Sequence, residues 1–268
     1  MWDWLHRLCG KAASPRTQIP DALWQQTLSD FPFLRQCTSV ELSRLRGLSS
    51  RFLEQKEFHG AQGLVITDAM AVAIAAQACL PVLHMGSGAQ PLAWYDDFVG
   101  VVVHPGEVVA QREEVDEDGV VHHYSESLVG EAMEAGPVML SWQDVTAASS
   151  EHGYNVVIHE FVHKLDLRDG LADGCPPLSA GFMGAANARL ARQTWLSTLQ
   201  TAYDGFREQV IRSERFGAEP PWLDAYGAES VDEFFAVASE AYFVNRERFA
   251  LDFAPVVAMF DAFYRPGH

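Results

Sequence analysis

The stretch Asn155-Val156-Val157-Ile158-His159-Glu160-Phe161-Val162-His163-Lys164-Leu165-Asp166 contains His-Glu-x-x-His inside an apolar segment. Four residues of helix advance by about 400° and about 6 Å, so His159 and His163 leave one face close enough to share a metal ion. Glu160 stands one step around and can face a water in an open coordination position. Zinc suits two imidazoles and one carboxylate, because three protein ligands leave a fourth position for water. Such an ion brings the water pKa toward about 7, and Glu160 can take its proton during attack on a carbonyl. The competing reading is a pair of core histidines satisfied by ordinary hydrogen bonds. Val156, Val157, Ile158, Phe161, Val162 and Leu165 make the segment a largely buried helix, where two histidines and a glutamate need partners. That favours the metal.

Two histidines hold zinc poorly, so a third ligand must lie downstream. The extended motif with a third His fails, because Asp166 and Asp169 stand where Gly and His are required. A carboxylate on a later helix is left. Glu233 and Glu240 are seven residues apart in Ala228-Glu229-Ser230-Val231-Asp232-Glu233-Phe234-Phe235-Ala236-Val237-Ala238-Ser239-Glu240, and so share one side of a mostly apolar helix. Ser230 and Glu233 also form S-x-x-E, in which the glutamate only closes the helix start. On the residues alone, Glu233 as ligand, Glu240 as ligand and Glu233 as cap all stand.

The positioning elements divide in two. Residues 1–56 read as a helical region packed on the catalytic part: Trp2, Leu5 and Leu8 in a short amphipathic start, a helix opened by Pro20, and one capped at Thr38/Ser39 that carries Leu42, Leu45, Leu48 and Phe52. Residues 57–268 read as one compact unit. In it Gly60 and Gly63 bracket a turn, Leu64-Val65-Ile66 is a strand candidate, and Thr67/Asp68 open an Ala-rich helix. Strands follow at residues 98–103 and 136–142, with a hairpin between them at residues 108–115 and 120–124 around Asp118-Gly119. A long helix over residues 185–212 should bury Leu190, Trp195, Leu196, Leu199, Tyr203 and Phe206. Helices over 231–243 and 253–264 end the chain. Strands clustered between residues 60 and 145 amid helices predict an α+β fold, mostly helical with a small mixed or antiparallel sheet.

Composition narrows the partners. The 268 residues are 48% hydrophobic and carry a formal charge of −17, which disfavours direct contact with nucleic-acid phosphate or an anionic membrane. Cys9, Cys37, Cys79 and Cys175 form no C-x-x-C pair, so reduced thiols in a cytoplasmic protein are the simplest reading. The amino terminus has no basic start with an apolar export run, and the apolar residues 69–83 are too few to span a membrane.

Val157-Ile158-His159-Glu160-Phe161-Val162-His163-Lys164-Leu165-Asp166, Gly136-Pro137-Val138-Met139-Leu140-Ser141-Trp142, Glu233-Phe234-Phe235-Ala236-Val237-Ala238-Ser239-Glu240 and Ile74-Ala75-Ala76-Gln77-Ala78-Cys79-Leu80 resemble the Mlc titration factor A family of zinc peptidases. The resemblance runs from about residue 20 to 264 in the same order. It implies a zincin-like fold of the gluzincin type, one zinc ion on His159, His163 and Glu233, Glu160 as general base, and aminopeptidase-like activity on small peptides. It also draws attention to Tyr226, since related zinc peptidases use a tyrosine near the metal to steady the oxyanion. Asp166 and Glu240 are candidates to orient an imidazole from behind. His122, His123 and His152 read as exposed. An α-amine anchor cannot be chosen among Glu131, Glu134 and other acids. The resemblance implies a second kind of partner as well, a transcriptional repressor of the Mlc type. The alternative function is therefore a regulatory protein that sequesters such a repressor, with hydrolysis secondary. A closed structural metal site is disfavoured, because it leaves Glu160 without a task.

Overall fold

The computed structural model describes residues 18–86, 90–106, 109–115, 121–127, 136–149 and 151–266. The expected helix at Trp2–Leu8, the hairpin turn at Asp118-Gly119, Cys9, Glu131 and Glu134 lie outside them. Pro20 precedes α1 (Asp21–Asp30), and Thr38 caps α2 (Ser39–Gln55). Glu41 reaches back to the Thr38 N–H at 2.7 Å while Thr38 accepts the Glu41 N–H, a reciprocal box that fixes where α2 starts. After α2 come β1 (Glu57–Gly60) and α3 (Asp68–Cys79), the latter capped by Thr67 and buried from Met70 onward.

Leu64-Val65-Ile66, expected as a strand, is not one; the strand is Glu57–Gly60 just before it. A Cβ on Gly60 would sit 1.8 Å from the Leu64 carbonyl oxygen. The chain therefore folds tightly back at Gly60, and residues 64–66 run outside the ladder.

β2 (Gly100–His104), β3 (Val109–Val115), β4 (Val121–Ser127), β5 (Val138–Ser141) and the short α4 (Trp142–Thr146) follow. The main sheet has the order β1-β2-β5 and both of its pairings are parallel, with Glu57 opposite Gly100 and Val101 opposite Val138. This corrects the expectation of a mixed or antiparallel sheet. β1 reaches β2 through α3, and β2 reaches β5 through the β3–β4 excursion, so each connection returns the chain to the same end and the strands run alike. The expected hairpin is present as a separate antiparallel pair, Val115 opposite Val121.

α5 (Val156–Asp166) carries the His-Glu-x-x-His motif and is buried at every residue. It packs on α3 and on β5, with Phe161 set among Phe52, Tyr95 and Phe98 at centroid distances of 5.6, 5.1 and 5.8 Å. Full burial of such a ring contributes about 1.5–3 kcal/mol. α6 (Ala188–Phe216) starts three residues later than the sequence suggested, because Asn187 caps it by accepting the Leu190 N–H at 3.0 Å. Leu190 is exposed in that first turn, a correction to the expected buried set; Ala191, Trp195, Leu199, Tyr203, Phe206 and Val210 form the inner stripe. α7 (Val231–Val244) lies against α5, and α8 (Arg246–Tyr264) closes the chain. α8 begins well before the expected Phe253. Its helix breaks at Phe253, two residues ahead of Pro255, whose ring lacks an N–H and crowds the preceding turn. Trp195 joins α6 to α7 and α8 through Phe235 and Phe263 at 5.6 and 5.3 Å. α1 and α2 pack on α3 and share the same hydrophobic core.

Candidate metal centre

Asn155 opens α5: its Oδ1 accepts the Ile158 N–H at 2.9 Å, satisfying one of the free donors at a helix start. That start puts His159 and His163 on successive turns facing α7, with their Nε2 atoms 3.1 Å apart. Ser230 caps α7 by accepting the Glu233 N–H at 3.4 Å. Of the two readings of S-x-x-E, the serine half is therefore present, while the glutamate side chain faces α5. Glu233 Oε2 lies 3.1 Å from His159 Nε2 and 3.3 Å from His163 Nε2.

These three atoms test whether the residues fit a metal. Ligand bonds of about 2.0–2.1 Å in a tetrahedron put neighbouring ligand atoms about 3.3 Å apart. The observed edges of 3.1, 3.1 and 3.3 Å suit that geometry, and two nitrogens with a carboxylate oxygen suit zinc. Among the described residues this is the one cluster of three such donors.

Electrostatics say the same. Burial disfavours an imidazolium at His159, but hydrogen bonds with Glu233 and Glu240 outweigh it and raise its pKa well above the ordinary value. Burial also opposes the Glu233 carboxylate, yet its bonds with His159 and His163 hold its pKa far below the usual range. The metal-free site thus keeps positive charge where a cation would sit.

Glu160 is fully buried, and among the described residues neither of its carboxylate oxygens has a hydrogen-bond partner. Burial raises its pKa against the pull of His159 and His163. An unpartnered buried group of this kind costs roughly 1–3 kcal/mol or more, a cost that packing does not explain.

Glu240, one turn pair farther along α7, stands behind the site. Its Oε1 is 2.7 Å from His159 Nδ1 and its Oε2 accepts the Asn155 N–H. With Nδ1–H given to Glu240, Nε2 is the His159 nitrogen that faces the centre. Tyr226 lies in a short turn, Ala225–Ala228, held by Asp224, which accepts the Tyr226 N–H at 3.0 Å. Its ring is 6.0 Å from that of His159 and 37% exposed, on the solvent side of imidazoles that are 5% and 7% exposed. Burial and the Glu233 charge raise its pKa, so the phenol keeps its proton.

Asp166 turns elsewhere. Its Oδ2 accepts the Gly174 N–H at 2.8 Å, and among the described residues its Oδ1 has no partner and neither oxygen bonds an imidazole. Gly174 has φ +74°, and a Cβ there would meet the Val231 carbonyl oxygen at 2.9 Å, so the loop after α5 closes only with glycine at this point. Burial lifts the Asp166 pKa from 3.8 to about 7, although the Gly174 N–H opposes the rise. The folded chain therefore binds this proton more tightly than the unfolded one, and the associated stability, full below about pH 4, is lost as pH climbs through 7. Asp166→Asn keeps an acceptor for Gly174 without the charge. In the metal-free protein it should be about 2–4 kcal/mol more stable than wild type at pH 8, with the gain shrinking toward pH 4.5 in urea titrations. An equal difference at both pH values would contradict this.

Sequence reasoning missed Asn155, whose signal was its place just ahead of an apolar helical run. It also missed Lys164, whose Nζ donates to the Gly136 carbonyl at 2.9 Å and ties α5 to the approach to β5. His152 is exposed, with Nδ1 3.1 Å from Ser149 Oγ. His122 and His123 lie on β4.

An α+β chain with His, His and Glu donors converging beside a buried orphan glutamate falls in the class of metallopeptidase-like proteins. The chain belongs to the family of glucose-regulated metallo-peptidases M90, which it matches over residues 5–265. It is 32% identical over 256 residues to Mlc titration factor A of Yersinia pestis (strain Pestoides F) and of Yersinia pseudotuberculosis serotype O:3 (strain YPIII), covering 95% of this chain and 88% of each relative. Membership implies a metal. No helix among the described residues is long and apolar enough to cross a membrane.

Proposed function

We propose that this chain is a zinc-dependent peptidase with a zincin-like fold of the gluzincin type, aminopeptidase-like and cytoplasmic. The observation that carries the reading is Glu160, a fully buried carboxylate with no partner among the described residues, beside three converging donors. His159, His163 and Glu233 would hold the zinc ion, which when bound would supply a Lewis acid for the scissile carbonyl and for a water. Glu160 takes a proton from the attacking water and returns it to the departing amine. Its raised pKa suits a group that must hold that proton between the two transfers. Tyr226 donates its phenolic hydrogen to the carbonyl oxygen as negative charge grows there. Glu240 keeps His159 in one tautomer throughout.

Chromogenic aminoacyl amides, offered with free and with acetylated amino termini, test the reading. Hydrolysis should stop on chelation, return with zinc, and fail on the acetylated substrates; equal cleavage of both would replace aminopeptidase by endopeptidase action. Tyr226→Phe should lower kcat by about 10²-fold and leave zinc bound, because the phenol hydrogen-bonds Glu233 but is not itself one of the three donors. An unchanged kcat would remove Tyr226 from the reaction.

The relatives' name supports a second reading: a titration factor is described by what it captures. On it the chain sequesters a transcriptional repressor of the Mlc type, and hydrolysis is secondary. Pull-down of a repressor by a chain lacking hydrolytic activity, with no peptide turnover by wild type, would favour it.

A further inference from the structure

We propose that Gln77, acting through Asn155 and Glu240, is a positioning residue that fixes His159 and thereby sets how tightly the centre holds zinc; the inference rests on the zinc reading above. Gln77 is the one amide in the buried stretch of α3 from Met70 to Cys79 and is 0% exposed. A methionine or leucine would pack there, and a buried amide costs roughly 1–3 kcal/mol unless bonded. Gln77 is bonded at both ends. Its Nε2 donates to the Ala73 carbonyl at 3.1 Å, and its Oε1 accepts from Asn155 Nδ2 at 2.7 Å.

Asn155, also 0% exposed, uses all four of its polar groups. Oδ1 accepts the Ile158 N–H at 2.9 Å, Nδ2 donates to Gln77, the backbone N–H goes to Glu240 Oε2, and the backbone carbonyl accepts the His159 N–H at 3.1 Å. Glu240 Oε1 then meets His159 Nδ1 at 2.7 Å. Asn155, Glu240 and His159 thus form a closed ring, braced from α3 by Gln77.

The two amides in the chain of bonds have one orientation each. The Ala73 carbonyl can only accept, so the Gln77 amide cannot flip; the Ile158 N–H can only donate, so the Asn155 amide cannot flip either. The Asn155 N–H can only donate to Glu240, whose other oxygen is left to accept from His159. With Glu240 ionised, His159 Nδ1 must carry a hydrogen, and Nε2, turned toward His163 and Glu233, is the nitrogen that would bind zinc once its own proton has left. Losing the Gln77 oxygen strands Asn155 Nδ2 and frees the residue that aims Glu240.

A bond that merely ties α3 to α5 predicts something different. Zinc dissociation constants by chelator competition, with denaturation midpoints of the metal-free proteins, are to be measured for wild type, Gln77→Met, Glu240→Gln and the double variant. Glu240→Gln cannot accept at both oxygens and so breaks the ring. Gln77→Met should weaken zinc binding about tenfold in the wild-type background and less than about twofold in the Glu240→Gln background, while lowering the metal-free midpoint equally in both. Asn155→Ser keeps an oxygen for Ile158 but loses the amide nitrogen that donates to Gln77, and should match Gln77→Met; it carries the test if that variant does not fold. An unchanged zinc constant with a lowered midpoint, or an equal loss in both backgrounds, overturns the proposal. Absence of zinc binding in the wild-type chain overturns the metal reading itself, which keeps the two failures distinct.

Discussion

Glu160→Gln is expected to fold, to carry its metal, and to lose roughly 10²–10⁴-fold in kcat, the range that a positioned general base contributes. Glutamine matches the side chain in shape but does not accept a proton from water at neutral pH. The wild-type carboxylate is buried without a partner, and burial disfavours its charge. Neutralising it should therefore leave metal-free stability unchanged or higher, so that lost activity cannot be ascribed to unfolding. Turnover at the wild-type rate would dismiss Glu160 as the base. Loss of metal would instead make it a ligand. If capture of a repressor is the main function, that binding should survive the substitution intact.

Glu233→Ala should cost roughly a hundredfold or more in zinc affinity, taking about 3 kcal/mol for one of four ligands in a site worth about 10–16 kcal/mol. The variant removes the one carboxylate that faces both the His159 and His163 Nε2 atoms, which are 3.1 Å apart in wild type. The same substitution removes the hydrogen bond that most raises the His159 pKa against burial. In wild type that proton must leave before zinc enters, so zinc affinity should rise with pH and zinc uptake should release protons. In Glu233→Ala the release should shrink. Calorimetry in buffers of different ionisation heat measures both. Affinity kept near wild type would place the third ligand elsewhere, with Glu240 the next acid to examine.

The motif spacing was legible because four residues of helix fix the relation of His159 to His163 whatever the rest of the chain does. The capping of α2, α3 and α7 by Thr38, Thr67 and Ser230 was legible for the same reason, each being settled within a few residues. Family resemblance pointed to Glu233, Tyr226 and Glu240. The residues alone left Glu233 and Glu240 equivalent, since seven positions return a helix to the same side.

Tertiary packing supplies the physical difference between them: α7 crosses α5 so that Glu233 meets both Nε2 atoms and Glu240 meets His159 from behind, at Nδ1. The parallel sheet, the strand at Glu57–Gly60 and the break at Phe253 were hidden because they depend on where connections return and how turns crowd. Gln77 was hidden most fully, since its partner Asn155 is 78 residues away. Sequence periodicity reports which face of one element a residue occupies; which faces then meet is decided by packing among elements far apart in the chain.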